Sequence, residues 1–231
     1  MTETGGEGST DHPEDLARTA MESSNLHGFL AAVFRAEVTP EFLQDLRSAA
    51  VVEALADVGV EMTDQFLNGP EDEVVEQLAV EYAALYLGPG KHISPHESIY
   101  RVDEEREAEL MGACTVAVKK YIEAVGFEYD EKYMGIPDHI CVELEFMSEL
   151  ASRENKAWEK DDPVAAANAL EFQQEFMGDH LSLWVPKFCG KVVEMCDDPF
   201  YKGIAQLTME FLDSEKEDID RRLAIGQARS G

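Results

Sequence analysis

The chain has 231 residues, of which 45% are hydrophobic, and this favours a folded body with a sizeable core. Lys and Arg total 19 against 48 Asp and Glu, which gives a net charge of −29. A field of this sign repels phosphate backbones and attracts cationic partners, so nucleic acids and anionic membrane surfaces are excluded as partners. Solubility and a saline habitat are alternative reasons for the acidity.

The N-terminal sequence MTETGGEGSTDHPED has neither a basic start nor an apolar centre, so it does not predict a secretory signal. No apolar run in the chain is long enough to span a bilayer. We therefore expect a cytoplasmic protein without stable membrane insertion. Residues 1–10 are mostly Gly, Ser, Thr and Glu, and they predict a disordered acidic tail ahead of a single domain at 11–231.

Proline and glycine mark the expected helix ends in the first part of the chain. The first helix should run from Pro13 to about Glu37. A second is expected up to Gly59, with Thr39 as its N-cap and Pro40 at its first position. The same pattern predicts helices at 70–87, at about 103–125 and from 137 to about 158.

Proline also marks the helices of the last third. Asp162 and Pro163 open a segment that reaches His180, Pro186 lies at the start of another helix, and a final helix covers about 199–217. The apolar neighbours of Trp184 recur at helical spacing and predict that this side chain lies in the core. Because no segment alternates like a β-strand, we expect an all-α, single-domain helical bundle of seven or eight helices.

The sequence does not favour a metal site or a disulfide framework. The four cysteines have no C-x-x-C spacing, so a disulfide framework is not expected. His92 and His96 have the spacing of a helical metal pair, but the Gly and Pro residues around them disfavour a helix. We predict neither a metal nor a cofactor.

Two connections are rich in Gly, Pro, His and Ser, namely GPGKHISPHES at 88–98 and EYDEKYMGIPDHI at 128–140. Loops on a helical scaffold often carry binding residues, although these two could also be simple connections. Asp138 could cap the helix that follows it, or it could accept a bidentate hydrogen bond from an arginine of a ligand. Tyr82, Leu85 and Tyr86 precede the first loop, where they could line a groove or pack in the core.

Three stretches of the chain resemble the TorD/DmsD family of chaperones for molybdenum-containing redox enzymes, which is related to the NarJ-type chaperones. They are EYAALYLGPGKHISPHESIYR, GIPDHICVELEFMSELA and DHLSLWVPKFCGKVVEMCDDPFYKGIAQLTMEFL. The resemblance implies an all-helical cytoplasmic chaperone that binds the twin-arginine leader peptide and the apo-form of a molybdopterin-dependent enzyme before export. It implies no catalysed reaction.

The resemblance also implies a peptide-binding surface. Carried onto this chain, that surface consists of Tyr82, Leu85, Tyr86, Pro95, His96, Ser98, Pro137, Asp138 and His139. The chain departs from the family at His96 and Glu97, because relatives often have a large aromatic residue before the small residue and serine of this loop.

Two other functions remain open from the sequence alone. One is a binding adaptor of the same fold that serves a client protein which is not exported. The other is an enzyme that uses Asp138, His139 and Glu143 as acid–base groups. A monomer and a homodimer are both compatible with the sequence.

Overall fold

The computed structural model describes residues 12–88, 92–101, 112–127 and 136–230. Their α-helices are numbered in chain order, and short π-helical or 3₁₀ turns lie between some of them. The helices are α1 (Pro13–Arg35), α2 (Pro40–Leu46), α3 (Ala49–Asp57), α4 (Asp64–Asn68), α5 (Glu71–Tyr82), α6 (Ala113–Ala124), α7 (Ile140–Trp158), α8 (Pro163–Phe176), α9 (Ser182–Met195) and α10 (Pro199–Ser230). The described residues contain no β-strand, so the all-α prediction is confirmed.

Helix α7 lies at the centre of the packing, because α1 packs along one side of it and α8 along another. Small side chains let α1 and α7 approach closely. Ser24 Oγ donates to the carbonyl of Ser148 at 2.8 Å, and Ser148 Oγ donates to the carbonyl of Ser24 at 2.7 Å. A Cβ atom on Gly28 would lie only 3.2 Å from Ser148 Oγ. α10 packs against α8 and α9 and completes the bundle.

One hydrophobic cluster extends from Leu16 in α1 to Leu223 in α10. Trp184 is fully buried in it, as the spacing of its apolar neighbours predicts. The assignment of 11–231 to a single domain stays a prediction, and the predicted tail at 1–10 lies outside the described residues. Among the described helices, none has both the length and the apolar character that a membrane span requires.

The predicted helix over 40–58 is two helices. Its N-cap is as expected, since Thr39 Oγ1 accepts from the amide of Phe42 at 3.2 Å, and Gly59 ends the second helix with a positive φ of 77°. The break comes after Arg47, whose side chain donates to the carbonyls of Phe66 and Gly69 at 2.8 and 2.9 Å. Ser48 is in an extended conformation and begins α3.

The other boundary differences lie near the two π-helical turns, Ala83–Leu87 and Met177–Leu181. The second turn joins α8 directly to α9, so Pro186 lies inside α9 and not at a helix start. Proline supplies no N–H for the helix, but Pro186 faces solvent while its neighbour Val185 is fully buried in the core. The last helix continues to Ser230, well beyond the expected end.

Three other predicted helices match the described helices only in part. The helix predicted from 137 begins at Ile140 as α7, and the one predicted over 70–87 is α5 followed by the first π-helical turn. The described part of the helix predicted at about 103–125 contains α6, and residues 103–111 of that prediction lie outside the described ranges.

Candidate functional site

The described parts of the two loops singled out by the sequence meet in the structure, while residues 89–91 and 128–135 lie outside the described ranges. Ile140 N donates to the carbonyl of Pro95, and Glu97 N donates to the carbonyl of Asp138, both at 2.9 Å. These bonds form an isolated antiparallel bridge between His96 and His139, whose rings lie 4.9 Å apart in an edge-to-face arrangement. We call residues 94–98 and 136–140 the paired loops. They bring Pro95, His96, Ser98, Pro137, Asp138 and His139 of the predicted site together.

Asp138 holds the paired loops together. Its side chain is fully buried, and its Oδ2 accepts from the amide of Ser98 at 3.0 Å. The expectation that Asp138 caps the following helix is therefore wrong. The N-cap of α7 is His139, whose Nδ1 accepts from the amide of Cys141 at 3.2 Å. Asp138 Oδ1 is buried without a hydrogen-bond donor among the described residues.

Both histidines of the bridge are half-buried, and their surroundings favour the neutral ring. Burial, the neighbouring His96 ring and the Arg35 guanidinium lower the pKa of His139 to about 4. Burial also lowers the pKa of His96, against the opposing effect of Asp138. Near neutral pH the two rings are therefore uncharged, and whether they replace the large aromatic residue that relatives often carry in this loop stays a prediction.

Two buried carboxyl groups belong to this region, Glu97 in the first of the paired loops and Glu143 in α7. Glu97 accepts from Arg101 Nη1 at 2.8 Å through Oε1, and its Oε2 lies 2.8 Å from His180 Nδ1. Glu143, in the first turn of α7, accepts from Trp184 Nε1 at 2.9 Å. Both glutamates have no exposed surface.

Sequence reasoning missed this network, although it contained one signal for it. Glu143 lies three residues after Ile140 and four before Met147, so it falls on the apolar face of α7 and should have been expected inside the protein. Trp184 was expected to have no polar role, yet its indole N–H binds Glu143. No local pattern distinguishes Glu97 or His180.

The predicted site residues of the preceding segment lie in the core beneath this surface. Tyr82 donates to the carbonyl of Phe34 at 3.1 Å, and burial raises its pKa to about 12. Tyr86 packs on Tyr82 and stacks on Phe188. Leu85 is buried, and its carbonyl accepts from the amide of Ile93 at 2.7 Å, which connects this turn to the first of the paired loops. A direct peptide contact by these three side chains stays a prediction.

The three residues considered for acid–base chemistry all have structural partners. His139 Nδ1 and Asp138 Oδ2 accept backbone N–H groups, and Glu143 accepts the indole of Trp184. Residues 92–96 form no helix, so His92 and His96 do not share a helix face. Within the described ranges, no group of three His, Cys, Asp or Glu side chains is arranged to hold a metal ion.

The chain is an all-α bundle in which two loops join into one half-buried surface, and this arrangement is typical of a helical binding protein. Comparison with known proteins identifies its family. The family model described as "Nitrate reductase delta subunit" matches residues 49–190. The chain belongs to this family, which includes the TorD-like chaperones, and it is accordingly a chaperone and not a catalytic enzyme.

Two curated relatives are both named chaperone protein TorD. Chaperone protein TorD of Shewanella sp. (strain ANA-3) is 25% identical over 212 residues, which cover 86% of this chain and 94% of that protein. Chaperone protein TorD of Vibrio parahaemolyticus is 26% identical over 203 residues, covering 81% and 90%. The crystal structure of a redox enzyme maturation protein from Archaeoglobus fulgidus has the same fold, with a TM-score of 0.51, 20% identity, and coverage of 83% of this chain and 93% of that one.

Proposed function

We propose that this chaperone binds the twin-arginine leader peptide of an apo-molybdoenzyme catalytic subunit in the cytoplasm, and holds the subunit until its molybdopterin cofactor is inserted. Residues 11–231 act as one chaperone domain behind the tail at 1–10. The observation that carries the proposal is the bridge between His96 and His139, because it joins the two family motifs into a single surface. A monomer and a homodimer are equally compatible with it.

The charge of the chain suits a cationic peptide. A net charge of −29 attracts such a peptide over a Debye length, which raises the association rate and weakens with added salt. Exposed ion pairs contribute only about 0.2–1 kcal/mol each, so scattered surface carboxylates do not supply specificity. Specificity must come from a few desolvated contacts at the paired loops.

Asp138 is the residue that we propose for arginine recognition. Its Oδ1 is a buried acceptor without a donor among the described residues, and such an acceptor is costly unless a partner supplies the hydrogen bond. The side chain is fully buried, so a guanidinium reaches it only if neighbouring groups of the paired loops move. The neutral rings can then stack on the guanidinium plane without charge repulsion.

Calorimetric titration tests this proposal with two synthetic peptides, one with paired arginines before an apolar stretch and one with paired lysines instead. Asp138→Asn keeps an oxygen that accepts the Ser98 amide but removes the charge. It should weaken binding of the Arg-Arg peptide much more than binding of the Lys-Lys peptide, whose ammonium groups cannot form the planar bidentate contact.

Glu149→Gln is the matched control, because it makes the same charge change on an exposed position of α7. It should leave both affinities nearly unchanged. Equal affinities of Asp138→Asn and the wild type for the Arg-Arg peptide would remove Asp138 from the binding site. Binding of an apo-enzyme that lacks an Arg-Arg leader, without binding of the peptide, would favour the adaptor function instead.

A further inference from the structure

Glu143 and Glu97 form a pair of buried carboxyl groups that peptide recognition by Asp138 does not use. Both oxygens of Glu97 are occupied, one by the Arg101 guanidinium and one by the His180 imidazole. Glu97 also belongs to the bridge, because its amide donates to the carbonyl of Asp138. The position of Glu97 therefore determines how the paired loops meet.

Glu143 has only one of its oxygens satisfied. Oε2 accepts from Trp184, whereas Oε1 is buried without a donor among the described residues and its carboxyl neighbour is Glu97. Two ionised carboxylates side by side in the interior repel each other. A proton on Glu143 removes this conflict, because the protonated carboxyl becomes a hydrogen-bond donor to Glu97.

The charged and titratable groups around Glu143 come from several elements. Glu97 comes from the first of the paired loops, Arg101 from the segment just after it, Asp138 from the second loop, Cys114 from α6 and His180 from the π-helical turn before α9. Burial, followed by Glu97 and Asp138, raises the pKa of Glu143 well above its ordinary value, and the Trp184 N–H opposes this rise.

We infer that Glu143 is a positioning residue of the peptide site, and that its proton holds α7 against Glu97 and so keeps the paired loops in their binding arrangement. When the O–H bond of Glu143 breaks, the proton passes to solvent and the two glutamates repel each other. The bridge between His96 and His139 then loses the stabilising contact between Glu143 and Glu97. This inference rests on the proposed function, since it concerns how the same surface is regulated by pH.

The Glu143→Gln variant mimics the protonated form. Its amide N–H₂ can donate to Glu97, its carbonyl can accept from Trp184, and it does not titrate. The experiment measures the unfolding equilibrium constant and the Kd for the Arg-Arg peptide from about pH 5 to about pH 9, for the wild type and for Glu143→Gln. The difference between the two proteins cancels the titration of all groups that they share.

The expected sign follows from proton linkage. A pKa raised in the folded state means that folding holds a proton which the unfolded chain has lost, so stability is greatest at low pH and is lost as the pH rises through the folded pKa. The unfolding constant of the wild type, relative to Glu143→Gln, should rise about tenfold per pH unit between the unfolded and the folded pKa of Glu143, and should level off above the folded pKa. The Kd of the wild type should increase only as the pH passes the folded pKa, where the folded protein loses this proton, while that of Glu143→Gln stays level.

A spectroscopic readout assigns the proton directly. The wild type should show the infrared C=O stretch of a protonated carboxyl near neutral pH, and Glu143→Gln should lack it. If Glu143→Gln does not fold, Trp184→Phe is used in its place. The Trp184 N–H favours the ionised form of Glu143, so without it the infrared band of the protonated carboxyl must persist to a higher pH than in the wild type.

Identical pH profiles of the two proteins, or a wild-type spectrum without the band near neutral pH, would overturn the inference. If no peptide binds at any pH, the proposed function fails, whereas the unfolding profile and the infrared band still decide the role of Glu143.

Discussion

Replacement of Trp184 measures how strongly the hydrogen bond to Glu143 supports the site. The indole is fully buried, with ring centroids 5.5 Å from Tyr100 and 5.6 Å from Phe188. Trp184→Ala removes this packing and should lower the free energy of unfolding by about 3–5 kcal/mol. Trp184→Phe keeps an aromatic ring but leaves Oε2 of Glu143 without its donor, which should cost about 1–3 kcal/mol.

Trp158→Phe is the matched control for this measurement. Trp158 is equally buried and donates to Glu154 Oε1 at 3.0 Å, but Glu154 keeps a hydrogen bond from Gln173 and an ion pair with Arg222 after the change. Its cost should therefore be smaller than that of Trp184→Phe. Urea unfolding followed by far-UV circular dichroism gives all three values independently of indole fluorescence. A cost of Trp184→Phe no larger than that of Trp158→Phe would refute the role assigned to the bond with Glu143.

Two further predictions concern other buried groups. Because the pKa of His139 falls from 6.5 to about 4, its contribution to stability is complete above pH 6.5, and roughly 3 kcal/mol is lost as the pH falls to about 4. His139→Asn keeps the cap of α7 and should flatten this part of the plot of unfolding free energy against pH. A plot unchanged from that of the wild type would assign the loss to other groups. Arg222→Met leaves Glu154 and Glu215 buried without their cation and should cost about 3–5 kcal/mol, whereas Arg221→Met on the exposed side of the same helix should cost less than about 1 kcal/mol. Equal midpoints of the two arginine variants in urea unfolding would contradict the role of the buried ion pairs.

Helix ends were predictable where the chemistry that forms them is local. Asp162 Oδ1 accepts from the amide of Ala165, and Asp198 Oδ1 accepts from the amide of Phe200, so both residues begin helices as their position before proline indicates. Gly126 ends α6 with a positive φ of 74°. Each of these features depends only on residues a few positions away.

Helix interruptions depend on distant partners and were not predictable. The break after Arg47 is held by carbonyl groups 19 and 22 residues further along the chain. The local sequence contains a good helix pattern on both sides of this residue. Likewise, Pro186 reads as a helix start, and only the π-helical turn before α9 shows that the chain is already helical there.

The candidate site divides in the same way. Its two loops could be recognised from their composition and from the family resemblance. Their pairing, however, joins residues 40 or more positions apart, as in the bond between Ser98 N and Asp138 and in the bond between Ile140 N and Pro95. The partners of Glu97 and Glu143 are equally remote, since His180 and Trp184 lie 83 and 41 residues away. Such contacts follow from helix packing and leave no local signature.

Hydrogen–deuterium exchange of the wild-type protein, with and without the Arg-Arg peptide, tests most directly whether the paired loops are the peptide-binding surface. Bound peptide should slow exchange of the amides of Glu97, Ser98 and Ile140, because these amides form the bonds that join the two loops. Exchange in the C-terminal half of α10, where Asp220 and Gly226 lie against α8, should change little. Saturating peptide that slows exchange elsewhere and leaves these three amides unchanged would contradict the account.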